Sequence, residues 1–102
     1  MSENQRVHPL FDVLENDDRF LLRADVPGLT ADGIDIALEK GLLTFVGTRT
    51  RGDETFEYRR QFQIPDVVDP EGVNARLDAG VLEIDLAKQE AVKPRRITVQ
   101  TA

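Results

Sequence analysis

The segment VNARLDAGVLEIDL, residues 73–86, consists of two alternating stretches separated by a turn. Every second residue is apolar in residues 73–77 and again in residues 82–86, which is the period of a half-buried β-strand. Ala79-Gly80, between the two stretches, is typical of a tight hairpin. The segment therefore predicts two antiparallel strands and indicates an all-β fold.

The same alternation extends along the chain from residue 10 to residue 87, and turn residues recur at short intervals. Further strands are predicted over residues 10–14, 20–26, 34–39, 42–50 and 56–64. Seven or eight short strands with no helical period predict an antiparallel β-sandwich.

The composition is that of one globular domain, with 102 residues of which 40% are hydrophobic and 31% are charged. A net charge of −6 disfavours a nucleic-acid partner. The polar start, residues 1–9, lacks the apolar stretch of a signal peptide, and no window approaches the roughly 20 apolar residues of a membrane span. We therefore expect a cytoplasmic protein that binds neither nucleic acid nor a membrane.

The sequence has few of the residue patterns that a catalytic site requires. His8 is the single histidine and the chain has no cysteine, so acyl transfer by a nucleophile with an adjacent base is not supported. The glycines lie between predicted strands and do not open a helix, so no phosphate-binding loop is predicted. We expect no enzyme activity, no cofactor and no metal site.

Five motifs, in the order of the chain, resemble the alpha-crystallin domain of small heat shock proteins over about residues 9 to 99. The motifs are ADVPG (24–28), GLLTFVGTR (41–49), RQFQIP (60–65), the spacing A-x-x-x-x-G-V-L (75–82) and I-T-V (97–99). The resemblance implies an immunoglobulin-like β-sandwich, dimers as building blocks and tails that dock on neighbouring dimers. It divides the chain into a short N-terminal arm (1–8), the sandwich domain (9–88) and a flexible C-terminal extension (89–102).

The function implied by the resemblance is that of an ATP-independent holdase, a chaperone that binds non-native proteins and prevents their aggregation. An alternative is a co-chaperone or adaptor sandwich that binds one specific folded partner, but the signature at residues 75–82 and the apolar tail are typical of the heat shock branch. A hydrolase or metal enzyme on a β-scaffold is a third possibility, which the lack of a histidine cluster, a cysteine and a phosphate loop disfavours.

By resemblance, a groove for clients lies between the strand that begins at Ile34 and the strand that begins at Val73. The implied groove residues are Ile34, Ile36, Leu38, Val73, Ala75 and Leu77. Ile97 and Val99 point to the same side of an extended tail, and the resemblance implies that they fill adjacent pockets of this groove. A plain C-terminal strand or a frayed end is the alternative, which Pro94 and the charged linker disfavour.

Dimerisation is expected to depart from the family pattern. Bacterial and plant members carry a long loop that exchanges a strand with the partner, whereas residues 50–55 suffice only for a hairpin. We expect the long strand to pair instead with its copy, as an isologous contact in a homodimer or small oligomer. The predicted interface residues are Phe56, Tyr58, Arg60 and Phe62. Arg60 either reaches solvent at the strand edge or, as the family's interface arginine, pairs with a carboxylate of the partner.

Overall fold

The computed structural model describes residues 3–94 and 97–101, with the side chains of residues 3 and 4 left out. The parts of the two predicted terminal arms at residues 1–2, 95–96 and 102 lie outside the described residues. Eight strands are present in the described chain. They are β1 (Glu3–Val7), β2 (Asp12–Glu15), β3 (Arg19–Asp25), β4 (Ile34–Glu39), β5 (Leu42–Arg51), β6 (Glu54–Gln63), β7 (Val68–Asp78) and β8 (Val81–Lys88).

The strands form two four-stranded sheets that pack face to face. One sheet has the order β1-β6-β5-β4 and the other has the order β2-β3-β8-β7. All pairings are antiparallel except that of β1 with β6, which is parallel. The only helical segments among the described residues are two short 3-10 turns, Ala31–Gly33 and Glu90–Val92. The predicted antiparallel β-sandwich is confirmed.

Tight turns connect the hairpins and leave no room for an additional strand. In Lys40-Gly41 and Ala79-Gly80 both residues have positive φ, as a two-residue type I′ turn requires. Strands β5 and β6 are joined by Gly52 and Asp53 alone, and Gly52 has a φ of +62°. The expected hairpin over residues 50–55 is therefore what the structure contains.

The core lies between the sheets and is built from the apolar faces that the alternation predicted. Leu43, Phe45 and Ile84 are fully buried, and no polar or charged residue within the described part of the chain is buried. The side chains that follow them in sequence point away from the core, because successive residues of a strand alternate between faces. The buried core residues are Leu22, Ala24, Val26, Leu29, Leu43, Phe45, Tyr58, Val68, Leu82, Ile84 and Leu86.

The structure differs from the sequence prediction at three places. Strand β1 lies within residues 1–8, which were predicted as an arm that precedes the sandwich. The strand predicted over residues 10–14 is observed at Asp12–Glu15. Strand β7 begins at Val68 and not at Val73 as predicted, and its pairing with β8 is irregular between these two residues. Within the described residues, no helix is long and apolar enough to cross a membrane.

Candidate binding groove

The two sheets leave an open hollow where their edge strands β4 and β7 face each other. This hollow has a volume of about 360 Å³. Its lining residues are Ala31, Ile34, Asp35, Ile36, Ala75, Arg76, Leu77 and Leu82. We call it the β4–β7 hollow, and the open side of the sandwich on which it lies is called the groove side.

The hollow exists because both edge strands present apolar side chains that nothing fully covers. Ile34 and Ile36 are half-buried and pack against the core, and exposed residues separate them along β4. Across the hollow, β7 carries Ala75, whose small side chain leaves space beside Leu77. Leu82 is 2% exposed, so it forms the floor of the hollow. A half-buried edge strand of this kind is suited to receive an additional extended segment.

Four of the six groove residues expected from the sequence meet in this hollow, namely Ile34, Ile36, Ala75 and Leu77. Leu38 belongs to a second hollow of about 280 Å³ farther along the same side of the sandwich. Val73 packs against the core. The other residues of the second hollow are Lys40, Gly41, Ile64, Pro65, Asp66, Val68, Pro70 and Gln89.

The sequence analysis did not select Asp35 and Arg76, which add one charge of each sign to the lining of the β4–β7 hollow. The Arg76 guanidinium is held by Glu83, with a distance of 3.2 Å between Nη2 and Oε2. Asp35 lies between Ile34 and Ile36, and Arg76 lies between Ala75 and Leu77. A polar residue between two predicted groove residues is the sequence signal that would have identified Asp35 and Arg76. Among the described residues, no cluster of histidine or carboxylate side chains could hold a metal ion.

The tail residues expected to fill the groove are not buried in it within a single chain. Ile97 and Val99 are each 88% exposed and belong to no strand. The segment before them begins at Gln89, whose N–H donates to the carbonyl of Val67 at 2.7 Å. Groove and tail are thus both present with their apolar surfaces exposed to solvent.

The four residues predicted for a dimer interface lie on the face of β6 that is turned toward the other sheet. Tyr58 is 5% exposed. Phe56 lies under the Arg49 guanidinium, 4.6 Å from the ring centroid. The outer edge of β6 at residues 54–58 is paired with β1 of the same chain. Pairing of these residues with a second copy would therefore require β1 to leave, and the contact stays a prediction.

Arg60 has a partner that neither sequence-based alternative included. Its Nη1 donates to the backbone carbonyl of Pro9 at 2.7 Å. The guanidinium also lies 4.8 Å from the ring centroid of Phe62 and 5.6 Å from that of Phe11. Phe11 in turn makes edge-to-face contacts with Phe45 and Phe62. Arg60 therefore fastens the connection between β1 and β2 to the sandwich of its own chain.

Comparison with known proteins agrees with this architecture. The family described as Hsp20/alpha crystallin matches residues 12–100. The chloroplastic heat shock 22 kDa protein of Chlamydomonas reinhardtii is 30% identical over 93% of this chain and 71% of its own length. Small heat shock protein HspD of Bradyrhizobium diazoefficiens is 35% identical over 84% of this chain and 63% of its own length. The chain thus spans about two thirds of the length of such relatives.

Solved structures show the same sandwich. A small heat-shock protein from Xylella fastidiosa, described as having a distinct high order structure, is 31% identical, with coverage of 91% of this chain and 96% of that protein and a TM-score of 0.72. HspA of Xanthomonas axonopodis is 29% identical, with coverage of 81% and 95% and a TM-score of 0.72.

Proposed function

The chain belongs to the Hsp20/alpha crystallin family of chaperones, and from this premise we propose that it is an ATP-independent holdase for non-native proteins. The observation that carries the proposal is the open β4–β7 hollow, which has an apolar floor and lies between two sheet edges. A chaperone role follows from the family. That the chain acts without nucleotide, and that clients bind in this hollow, are the parts we propose.

Binding would use the general chemistry of an unfolded chain. An extended client segment adds main-chain hydrogen bonds to the free edge of β4, and these bonds do not depend on the client's sequence. Alternate apolar side chains of the segment enter the hollow beside Ile34, Ile36 and Leu77, because side chains of a strand project to one face at every second residue. Folded proteins lack such exposed segments and would not be bound.

We further propose that Ile97 and Val99 occupy the hollow when no client is present. Burial of both side chains would contribute about 3 to 5 kcal/mol before the cost of ordering the tail. A contact of this strength is reversible, so a client can displace the tail.

We propose that the tail docks on a second copy of the chain, as the resemblance to the family implies. The tail starts beside Val67, and residues 89–97 extend at most about 27 Å. Val68 and Leu77 pair with Lys88 and Leu82 of β8, which are six residues apart, or about 20 Å at the ordinary rise of a strand. The hollow is therefore within reach of a tail from either copy, and the oligomer mass of a tail variant distinguishes the two.

The test compares Ala75→Phe with Ala37→Phe in the suppression of heat-induced aggregation of an unrelated protein, followed by light scattering. Ala75 and Ala37 are both exposed and lie in strands, but only Ala75 lines the hollow. A phenylalanine at position 75 fills the hollow and should abolish suppression, whereas position 37, on the opposite face of β4, should tolerate the change. Equal suppression by both variants would exclude the hollow as the client site.

The wild-type chain separates the candidate functions. A holdase suppresses aggregation at a near-stoichiometric ratio and equally well with and without ATP. An adaptor for one folded partner shows no suppression, and that result would overturn the proposal. The double variant Ile97→Gly, Val99→Gly should have a lower oligomer mass and should still bind clients. An unchanged oligomer mass would contradict docking of the tail.

A further inference from the structure

The outer edge of β2 is an unpaired sheet edge with exposed apolar residues. Within the described part of the chain, β2 pairs with β3 and with no other strand. Leu10, Val13 and Leu14 are 88%, 60% and 47% exposed. The strand is short and has Asp12 and Glu15 at its ends, but it contains no proline, so its outer backbone donors and acceptors can pair with another strand. The β2 edge therefore has the properties of an interaction surface.

The chain itself has no described segment that covers this edge. The β5–β6 connection consists of two residues and has no strand to exchange. On the same side of the sandwich, the edge of β6 is already paired with β1 over residues 54–58. The tail begins on the groove side, beside Val67. A strand that pairs with the outer edge of β2 would therefore belong to a second molecule.

A second copy of β2 fits the edge in register. In an isologous antiparallel pair, a two-fold axis perpendicular to the sheet runs between the two strands, and the residue at the axis faces the same residue of the other copy. With Val13 on the axis, Asp12 faces Leu14 of the other copy and no two carboxylates are directly opposite. Because Val13 is in register with Leu22 on β3, the two copies form a continuous apolar row across the contact.

The charges of the strand are also compatible with this pairing. Glu15 is held by the Lys88 ammonium of its own chain at 2.7 Å. Asp12 lies opposite Arg23 on β3, and facing opposite charges on neighbouring strands stabilise a sheet. Each chain thus brings cations close to the acidic residues of its own β2. The remaining repulsion between two chains of net charge −6 should weaken as salt is added.

We propose that two copies of the chain associate through their β2 edges, so that the two sheets β2-β3-β8-β7 join into one eight-stranded sheet. This contact takes the place of the β6 contact expected from the sequence. It leaves the groove side of both copies free for tails and clients, so self-association and client binding use different surfaces.

The first test is disulfide trapping, which the absence of cysteine from the chain makes unambiguous. Facing Cα atoms of an antiparallel pair are about 4.5 to 5.5 Å apart, which is within the range of a disulfide. Full-length Val13→Cys should form a covalent dimer under mild oxidation at least ten times faster than Leu42→Cys. Leu42 is a suitable control because it is 40% exposed but lies on the other sheet.

Two further variants distinguish other contacts. Gln61→Cys should dimerise fastest if the copies meet through β6, and an equimolar mixture of Val13→Cys and Thr98→Cys should give the mixed disulfide if a tail covers β2. Either result, or a rate for Val13→Cys equal to that of Leu42→Cys, would overturn the proposal.

The second test measures mass in the background Ile97→Gly, Val99→Gly, which removes the tail motif. In this background we expect a dimer whose dissociation constant falls as sodium chloride is raised from low concentration. Adding Val13→Lys should convert it to a monomer with an unchanged circular dichroism spectrum, whereas adding Leu42→Lys should leave the dimer intact. A folded dimer that survives Val13→Lys would refute the β2 contact.

Discussion

The two sides of the sandwich, where the edge strands of its sheets face each other, differ in how far side chains close the gap. On the groove side, between β4 and β7, Ile34 and Ile36 face Ala75 across a hollow of about 360 Å³. On the opposite side, between β1 and β2, Phe11 closes the gap by packing against Phe45 and Phe62. We call this second side the N-terminal side. Its exposed apolar residues lie outside the closed gap, at the β2 edge.

This difference shows how one small sandwich can present two surfaces with different uses. On the N-terminal side, the ring of Phe11 lies between the sheets and closes the gap. A partner can therefore add only by backbone pairing at the outer edge of β2. Where alanine faces isoleucine, the gap stays open and can receive side chains. The groove side therefore suits an extended segment with alternating apolar residues, and the N-terminal side suits a strand added edge to edge.

The largest expected effect comes from Phe45, which connects the two sides. It is in register with Ile36 of β4, is fully buried and contacts Phe11. We expect Phe45→Ala to lower the free energy of unfolding by about 3 to 5 kcal/mol, as is usual for truncation of a buried phenylalanine. Urea unfolding measures the change.

A matched control for Phe45 is Val46→Ala, on the outer face of the same strand. Val46 is half-buried, so its truncation should lower the free energy of unfolding by about 1 kcal/mol. Hydrogen exchange should show that Phe45→Ala weakens protection on both sides of the sandwich. Loss of protection confined to one side would mean that the two sides are not coupled through this ring.

An intermediate effect is expected on the N-terminal side alone from Arg60→Met. Methionine keeps much of the apolar stem but removes the hydrogen bond to the Pro9 carbonyl and the charge between the rings of Phe11 and Phe62. Hydrogen bonds to charged groups contribute about 1.5 to 3 kcal/mol. We expect a loss in this range, with faster amide exchange in residues 3–7 and unchanged exchange in residues 34–39. Arg23→Met is the control, because Arg23 is exposed and lies on β3 of the other sheet, and it should change neither segment.

The faces of the strands could be predicted from sequence because alternation is a local property. Leu22, Phe45 and Ile84 occupy the buried positions that the period of two assigned to them. The turn at Ala79-Gly80 was equally predictable, since a two-residue connection with positive φ restricts the residue types. Alternation did not place Ile34, Ile36, Ala75 and Leu77 in one groove; the resemblance to the family implied that groove.

The N-terminal side could not be predicted, because it depends on contacts between residues far apart in sequence. Residues 3–7 contain no alternating apolar pattern, and they are a strand because the edge of β6 pairs with them. The partner of Arg60 is a backbone carbonyl 51 residues away. No side-chain pattern reveals a carbonyl as an acceptor, so the sequence points only to a carboxylate as the counter-ion of Arg60.

The smallest expected effect, at the β2 edge, has opposite signs for folding and for self-association. Glu15 is 56% exposed on its side chain, so its ion pair with Lys88 is largely screened, and Glu15→Gln should lower the free energy of unfolding by only about 0.5 kcal/mol. Lys88 keeps the Asn16 carbonyl at 2.8 Å and the Phe20 ring at 4.9 Å, so its ammonium retains partners in the variant.

Glu15→Gln also removes one negative charge from each of two copies that meet at this edge, which should strengthen their association at low salt. Glu39→Gln, at an exposed residue of β4 in the other sheet, removes an equal charge away from β2 and should alter neither quantity. If unfolding and association respond to Glu15→Gln in the same direction, Glu15 acts through the stability of β2 and not through repulsion between copies.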